Sequence, residues 1–203
     1  MEPLRHLKAV AAPLDLANIN TDQLFPARFI KKPRAVGYAQ YAFHDIRRDE
    51  QGSLRTEFVL NQTRFSDAKI LVAGPNFGSG SSREGAVYTL YDAGFRVILA
   101  PSFGEIFASN CLKNGVLAAT LPSEIITHIQ SELVAGEPVI SVDLESETLQ
   151  LHSGEHIQMP LDPFQKKCLM EGLNEIDLSL QYEGQISQFE RTYRERFPWM
   201  QTI

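Results

Sequence analysis

Residues 76–85 read NFGSGSSREG, a stretch in which serines at 79, 81 and 82 alternate with glycines at 78 and 80 and run into Arg83, Glu84 and Gly85. These residue types suit the capture of an anion. Arg83 offers a planar fork that matches a carboxylate with two parallel hydrogen bonds. Glycines allow tight turns and close approach of a ligand to the backbone. Ser81 and Glu84 have the spacing of a capping box, which predicts a helix with Ser81 at its N-cap and Glu84 reaching back. Backbone N–H groups and the positive end of that helix would face whatever sits there. The segment therefore reads as an anion site with two serine hydroxyls in reach. A capped helix after a glycine-rich turn, with Arg83 on the surface, fits the same local pattern.

Three phosphate- and nucleophile-binding motifs do not fit. A P-loop needs a Lys after its last glycine, where this chain has Ser82 and Arg83. A dinucleotide fingerprint needs a third glycine at 83, which is Arg. A nucleophile elbow centred on Ser82 needs Gly at 84, which is Glu. A Ser-His-Asp hydrolase stays as an alternative that would draw on His128, His152 or His156. A second stretch, NINTDQLFPARF at 18–29, places Thr21 and Asp22 in a predicted turn. The cations Arg28, Lys31, Lys32 and Arg34 follow on a predicted loop, facing either an acidic substrate or solvent.

The elements that must position these groups follow from the pattern of apolar residues. A strand and turn are predicted over 7–17, then long loops with short helical turns over 18–50. KILVAG (69–74), FRVILAP (95–101) and VLAATL (116–121) are short apolar runs of the kind that form buried strands. Between them, 81–94 and 102–115 carry helical spacing and end at Gly94 and Asn114-Gly115. A further helix is predicted over 123–136 with Ser123 as N-cap. This alternation implies a mostly parallel sheet with crossover helices. VISVDLE, TLQLHSG and HIQMPL then read as a meander. Asp162 and Pro163 open a helix that runs to Gly172, and an amphipathic helix is expected from about 177.

Composition narrows the classes. The chain has 203 residues, 43% of them apolar and 22% charged, which suits one large globular domain with an ample core. Its net charge of -6 argues against a nucleic-acid surface. No basic start followed by a long apolar run opens the chain, no window has the length of a membrane span, and the cytoplasm is the expected location. Two cysteines, Cys111 and Cys168, are too few for an iron–sulfur cluster.

Together the segments NINTDQLFPARFIKK, YAFHDIR, ILVAGPNFGSGSSREG, DAGFRVILAPSFGEIFASNCLKNGVLAATL and FQKKCLMEGL resemble, in order and over nearly the whole length, the small-subunit family of 3-isopropylmalate dehydratases. That family carries the aconitase swivel domain as a separate chain. The resemblance implies an α/β, three-layer β/β/α swivelling domain over 1–203, with 174–203 as a C-terminal helical extension. It implies a large-subunit partner that carries a 4Fe–4S cluster, with no cofactor or metal bound by this chain. The implied reaction is dehydration and rehydration of a hydroxy-dicarboxylate. Ser81 would be the base, Asp22 an active-site aspartate, and Ser82, Arg83 and Thr21 substrate contacts. Arg28, Phe29, Lys32 and Arg34 would belong to a specificity loop spanning 28–48. The family pattern runs N-F-G-C-G-S-S-R-E-H; here Ser79 stands for Cys and Gly85 for His. The exchange at 85 leaves related diacids, citraconate/2-methylmalate and dimethylmaleate, as alternative substrates, and a dicarboxylate-binding module without turnover as a further alternative.

Overall fold

A computed structural model describes residues 1–201. They form two compact units, the first Met1–Gly172 and the second beginning at Leu173. In the first unit seven strands make one curled sheet: β1 (His6–Leu14), β2 (Ile70–Ala73), β3 (Val97–Ala100), β4 (Leu117–Thr120), β5 (Val139–Asp143), β6 (Thr148–Leu151) and β7 (His156–Gln158), in the order β4-β3-β2-β1-β5-β6-β7. β1 joins two kinds of sheet. Its second half, Ala11–Leu14, pairs parallel with β2, and its first half, His6–Val10, pairs antiparallel with β5. β2, β3 and β4 continue the parallel side; β5, β6 and β7 form the expected meander.

The crossovers are α2 (Glu84–Asp92) between β2 and β3, and α3 (Glu105–Lys113) between β3 and β4. Alternation along each parallel strand divides the core in two, because successive side chains leave a strand on opposite faces. Leu71, Ala73, Ile98 and Ala100 pack with Ala86, Val87 and Leu90 of α2 and Phe107 and Cys111 of α3. Ile70, Val72, Val97, Leu99, Leu117 and Ala119 face the other way. They share a core with Ile140, Val142 and Leu149 of the antiparallel strands and with Ile126, Ile129 and Leu133 of α4 (Ser123–Ala135). α2 and α3 thus cover one face of the parallel strands, and the antiparallel strands together with α4 cover the other, within the β/β/α class expected.

Two predicted helix starts are corrected. α2 begins at Glu84, with Arg83 in the N-cap position and no side-chain cap. Ser81 is not the cap because the backbone around it is tied to the segment after β1: Asn20 and Ser79 form a parallel bridge, and the Thr21 hydroxyl donates to the Ser81 carbonyl at 2.9 Å. Glu84 instead accepts a hydrogen bond from Asn114 Nδ2 at the end of α3. In α4 the cap is Pro122, and Ser123 is the first helical residue. The expected start at Asp162 and Pro163 holds: the Asp162 carboxylate accepts from the N–H groups of Phe164 and Gln165, and α5 (Pro163–Glu171) stops at Gly172 in a left-handed conformation.

In the second unit the single helix expected from about 177 is two: α6 (Glu175–Leu180) and α7 (Glu183–Arg196), followed by a 3-10 turn at Pro198–Gln201. A capping box of Asn174 and Asp177 starts the first of these early, and Gln181 closes it by donating its N–H to the Asp177 and Ser179 carbonyls. No described helix in either unit is long and apolar enough to cross a membrane.

Candidate functional site

Beyond the carboxyl ends of the parallel strands β1, β2 and β3 three loops lie side by side. The loop after β1 forms α1 (Thr21–Leu24), capped by Asn20 and Gln23 in a capping box. The loop after β2 is the glycine-serine stretch. It is zipped to the first loop by the Gly78 N–H on the Ile19 carbonyl (2.7 Å) and the Thr21 N–H on the Ser79 carbonyl (2.9 Å). On its other side the Phe77 N–H meets the Ser102 carbonyl, and the Gly104 N–H meets the Phe77 carbonyl at 2.9 Å. Two glycines make this close packing possible. Gly78 has φ +73°, and a Cβ there would run into the Phe107 ring; a Cβ on Gly104 would stand 2.6 Å from the Gly78 carbonyl oxygen.

An open cleft of about 210 Å³ results, lined from one side by Thr21, Ser81 and Arg83 and from the other by Glu105, Ile106 and Phe107. Crevices at the carboxyl ends of parallel strands are the usual ligand sites of such sheets. Ser81 and Ser82 are exposed and adjacent. Arg83 is mostly enclosed, its side chain 19% exposed, and its Nη1 donates to Asp22 Oδ1. That contact holds the Asp22 carboxyl below the ordinary carboxylate range, aided by the Ala27 N–H. Thr21, 2% exposed, holds the Ser81 carbonyl. Five of the residues expected at the site are therefore gathered in one place: Thr21, Asp22, Ser81, Ser82 and Arg83.

None of the four expected in the specificity loop is part of that lining, and three of them lie in ion pairs or packing. Arg28 makes a two-pronged pair with Asp45, and its guanidinium lies 4.6 Å from the centre of the Phe29 ring. Phe29 stacks on Tyr41 at 4.3 Å. Arg34 pairs with Asp92 at the far end of α2 and covers Tyr88. Lys32 is exposed, and its carbonyl accepts from the Tyr38 hydroxyl at 2.7 Å. Tyr38 and Phe43 belong to the core.

Asp45 carries a testable consequence of this anchoring. The Arg28 guanidinium, with His44 assisting, lowers its carboxyl from 3.8 to about 2. A depressed folded value means stabilisation that is present above pH 3.8 and is lost as the pH falls through about 2. Because both side chains are about half exposed, solvent screening limits the pair to ~1 kcal/mol or less. A two-dimensional NMR titration is expected to place the Asp45 midpoint near 2 in the wild type and to move it up toward the ordinary value in Arg28→Ala.

Gly85 has a geometric partner. A Cβ there would meet two carbons of the Phe25 ring at 2.9 and 3.0 Å. Phe25 is 1% exposed and packs on Tyr38 with ring centres 4.7 Å apart, so the ring has little room to swing. The volume that a side chain at 85 would need is occupied by Phe25. Gly85→His is expected to destabilise the fold by about 1–3 kcal/mol through overpacking. Urea denaturation should show that loss, and Phe25→Leu in the same chain should recover part of it; no loss would mean that the ring yields freely.

The hydrolase alternative does not survive the geometry, since none of its three histidines lines the cleft. His128 pairs with Glu155 and His152 with Glu137, both in the first unit, while His156 lies exposed on β7. What the residue patterns missed is the second wall, Gly104–Phe107. The available signal was a second strand-to-helix loop, APSFGEIF, in the same position after the next parallel strand.

Known proteins share these features. The family model of the aconitase C-terminal domain matches residues 1–124, and that of the C-terminal domain of 3-isopropylmalate dehydratase small subunits matches 175–203. The 3-isopropylmalate dehydratase small subunit of Bacillus licheniformis is 41% identical over 201 residues, covering 99% of this chain and all of that one. Its counterpart from Parvibaculum lavamentivorans is 39% identical over 98% of this chain and all of its own. A crystal structure of a 3-isopropylmalate dehydratase from a Methanocaldococcus species superposes with a TM-score of 0.61 over 91% of this chain and 99% of that one; at 19% identity the likeness speaks for the fold.

Proposed function

Because the chain belongs to the family of 3-isopropylmalate dehydratase small subunits, we propose that it is one half of a two-chain hydro-lyase that interconverts 2-isopropylmalate and 3-isopropylmalate in leucine biosynthesis. The names of its relatives favour this substrate over citraconate, dimethylmaleate or binding without turnover. The whole chain acts as one swivel domain with 174–203 as a helical extension, in the cytoplasm.

The observation that carries the mechanism is the convergence of Ser81, Arg83 and Thr21 on one open cleft. Arg83 grips a substrate carboxylate through its fork, with the Ser82 hydroxyl beside it. Ser81, as its Oγ oxyanion, takes the proton from the substrate C–H and becomes the hydroxyl; in the reverse sense the hydroxyl returns that proton to carbon and the oxyanion is restored. A serine oxyanion is a costly species, and the start of α2 together with Arg83 supplies the positive surroundings it needs. Thr21 positions Ser81 by holding its carbonyl. Asp22 keeps the Arg83 guanidinium aimed along the cleft.

The 4Fe–4S cluster has no cradle among the described residues of this chain. Cys111 on α3 and Cys168 on α5 are both buried, and no three His, Cys, Asp or Glu side chains gather as ligands would. We assign the cluster to the large-subunit partner. The test is activity of this chain mixed with a cluster-loaded large subunit from the same source, offered isopropylmalate and citraconate side by side. Turnover of isopropylmalate is expected. Turnover of citraconate alone, or of neither in a verified complex, would overturn the assignment.

A further inference from the structure

The wall of the cleft opposite Arg83 carries Glu105 and Ile106, the first two residues of α3. Both face outward: Glu105 is exposed, and Ile106 is 53% exposed, so its side chain is open to a ligand in the cleft. Among the described residues no ion pair neutralises Glu105. The cleft is therefore polar in a directed way, with a guanidinium on the α2 side and a carboxylate beside an isoleucine on the α3 side. A carboxylate at the mouth of a site built to take dicarboxylates weakens general anion binding, so it needs a reason.

We propose that Glu105 and Ile106 select the substrate's branch: Ile106 receives an uncharged aliphatic group, and Glu105 rejects a third carboxylate at the same place. The inference rests on the isopropylmalate reading and goes beyond it by naming what the site excludes. Citrate is the sharp comparison, since it carries a carboxymethyl group where 2-isopropylmalate carries an isopropyl group on the same malate frame. With one carboxylate on Arg83, the branch that spans the cleft meets the α3 wall. There the isopropyl group gains apolar contact, and the carboxymethyl anion meets a like charge in a half-enclosed space. Discrimination of this kind works by penalising the wrong ligand as much as by favouring the right one.

The test compares Glu105→Gln, Glu105→Asp and wild type in the assembled two-chain enzyme. Two readouts are taken: the inhibition constant of citrate against 2-isopropylmalate turnover, and the ratio of the two dissociation constants by calorimetry. Glu105→Gln is expected to tighten citrate relative to 2-isopropylmalate by roughly tenfold or more, the scale of one like-charge contact removed. Glu105→Asp, which keeps the charge, should stay near the wild-type ratio. A ratio for Glu105→Gln within twofold of wild type, or an equal change in Glu105→Asp, overturns the proposal. If the wild-type complex fails to turn over isopropylmalate, the underlying reading falls, while the calorimetric ratio still decides the role of Glu105.

Discussion

Ser81→Ala in the reconstituted enzyme is expected to lower kcat by about 10²–10⁴-fold, the range that a positioned proton-transfer group contributes. KM should change little, because the carboxylate contact belongs to Arg83 and Ser82. The substitution removes one hydroxyl from an exposed position, and the Thr21 contact is to the backbone carbonyl, so the fold should be unaffected. Single-turnover kinetics with a substrate deuterated at the abstracted carbon would separate the steps. Retained full activity would remove Ser81 as the base and leave the cleft a binding site only. Ser82→Ala is the control: its loss should fall mainly on KM.

Arg83→Ala is expected to lower kcat/KM by about 10²–10³-fold, since it deletes a mostly enclosed, charge-assisted fork. Arg83→Lys should recover only part of this, because an ammonium cannot make the two parallel hydrogen bonds. A second readout comes from Asp22, whose carboxyl is held low first of all by the hydrogen bond from Arg83. Its titration midpoint should rise toward the ordinary carboxylate value in Arg83→Ala and not in Ser81→Ala. The sign follows from the lost cation, which favours the charged form. A steady-state assay beside a carboxyl-detected NMR titration checks both. If kcat/KM falls and the Asp22 midpoint stays put, the ion pair is absent from the working enzyme.

Most of the elements were legible because they obey local rules. The runs at 69–74, 95–101 and 116–121 are apolar on both faces, as strands covered on both sides must be. The stop at Gly172 and the start at Asp162 depend on a few neighbouring backbone groups. The capping box predicted at Ser81 failed for a reason no local pattern contains. Whether a serine caps a helix depends on where the preceding backbone is tied, and here it is tied to residues 60 positions earlier in the chain. The true box, Asn20 with Gln23, lay in a stretch read as a turn because α1 is only four residues long. Likewise the break between α6 and α7 turns on main-chain closure at Gln181.

By itself the sequence determined the chemistry on offer: two adjacent hydroxyls, a guanidinium and an aspartate, each placed just after a predicted buried strand or turn. Residue types and their local spacing decide that much, since they depend on covalent neighbours. Only the tertiary structure decided which of these groups share a cleft. Parallel pairing sets the loops after β1, β2 and β3 next to one another, which brings Thr21 to Ser81 and Asp22 to Arg83 across the chain and adds Glu105 and Ile106 as the facing wall. It also turned Arg28 and Arg34 toward Asp45 and Asp92, and filled the space beside Gly85 with Phe25. Such facts depend on distances between residues far apart in the chain, which the order of amino acids encodes only through the fold as a whole.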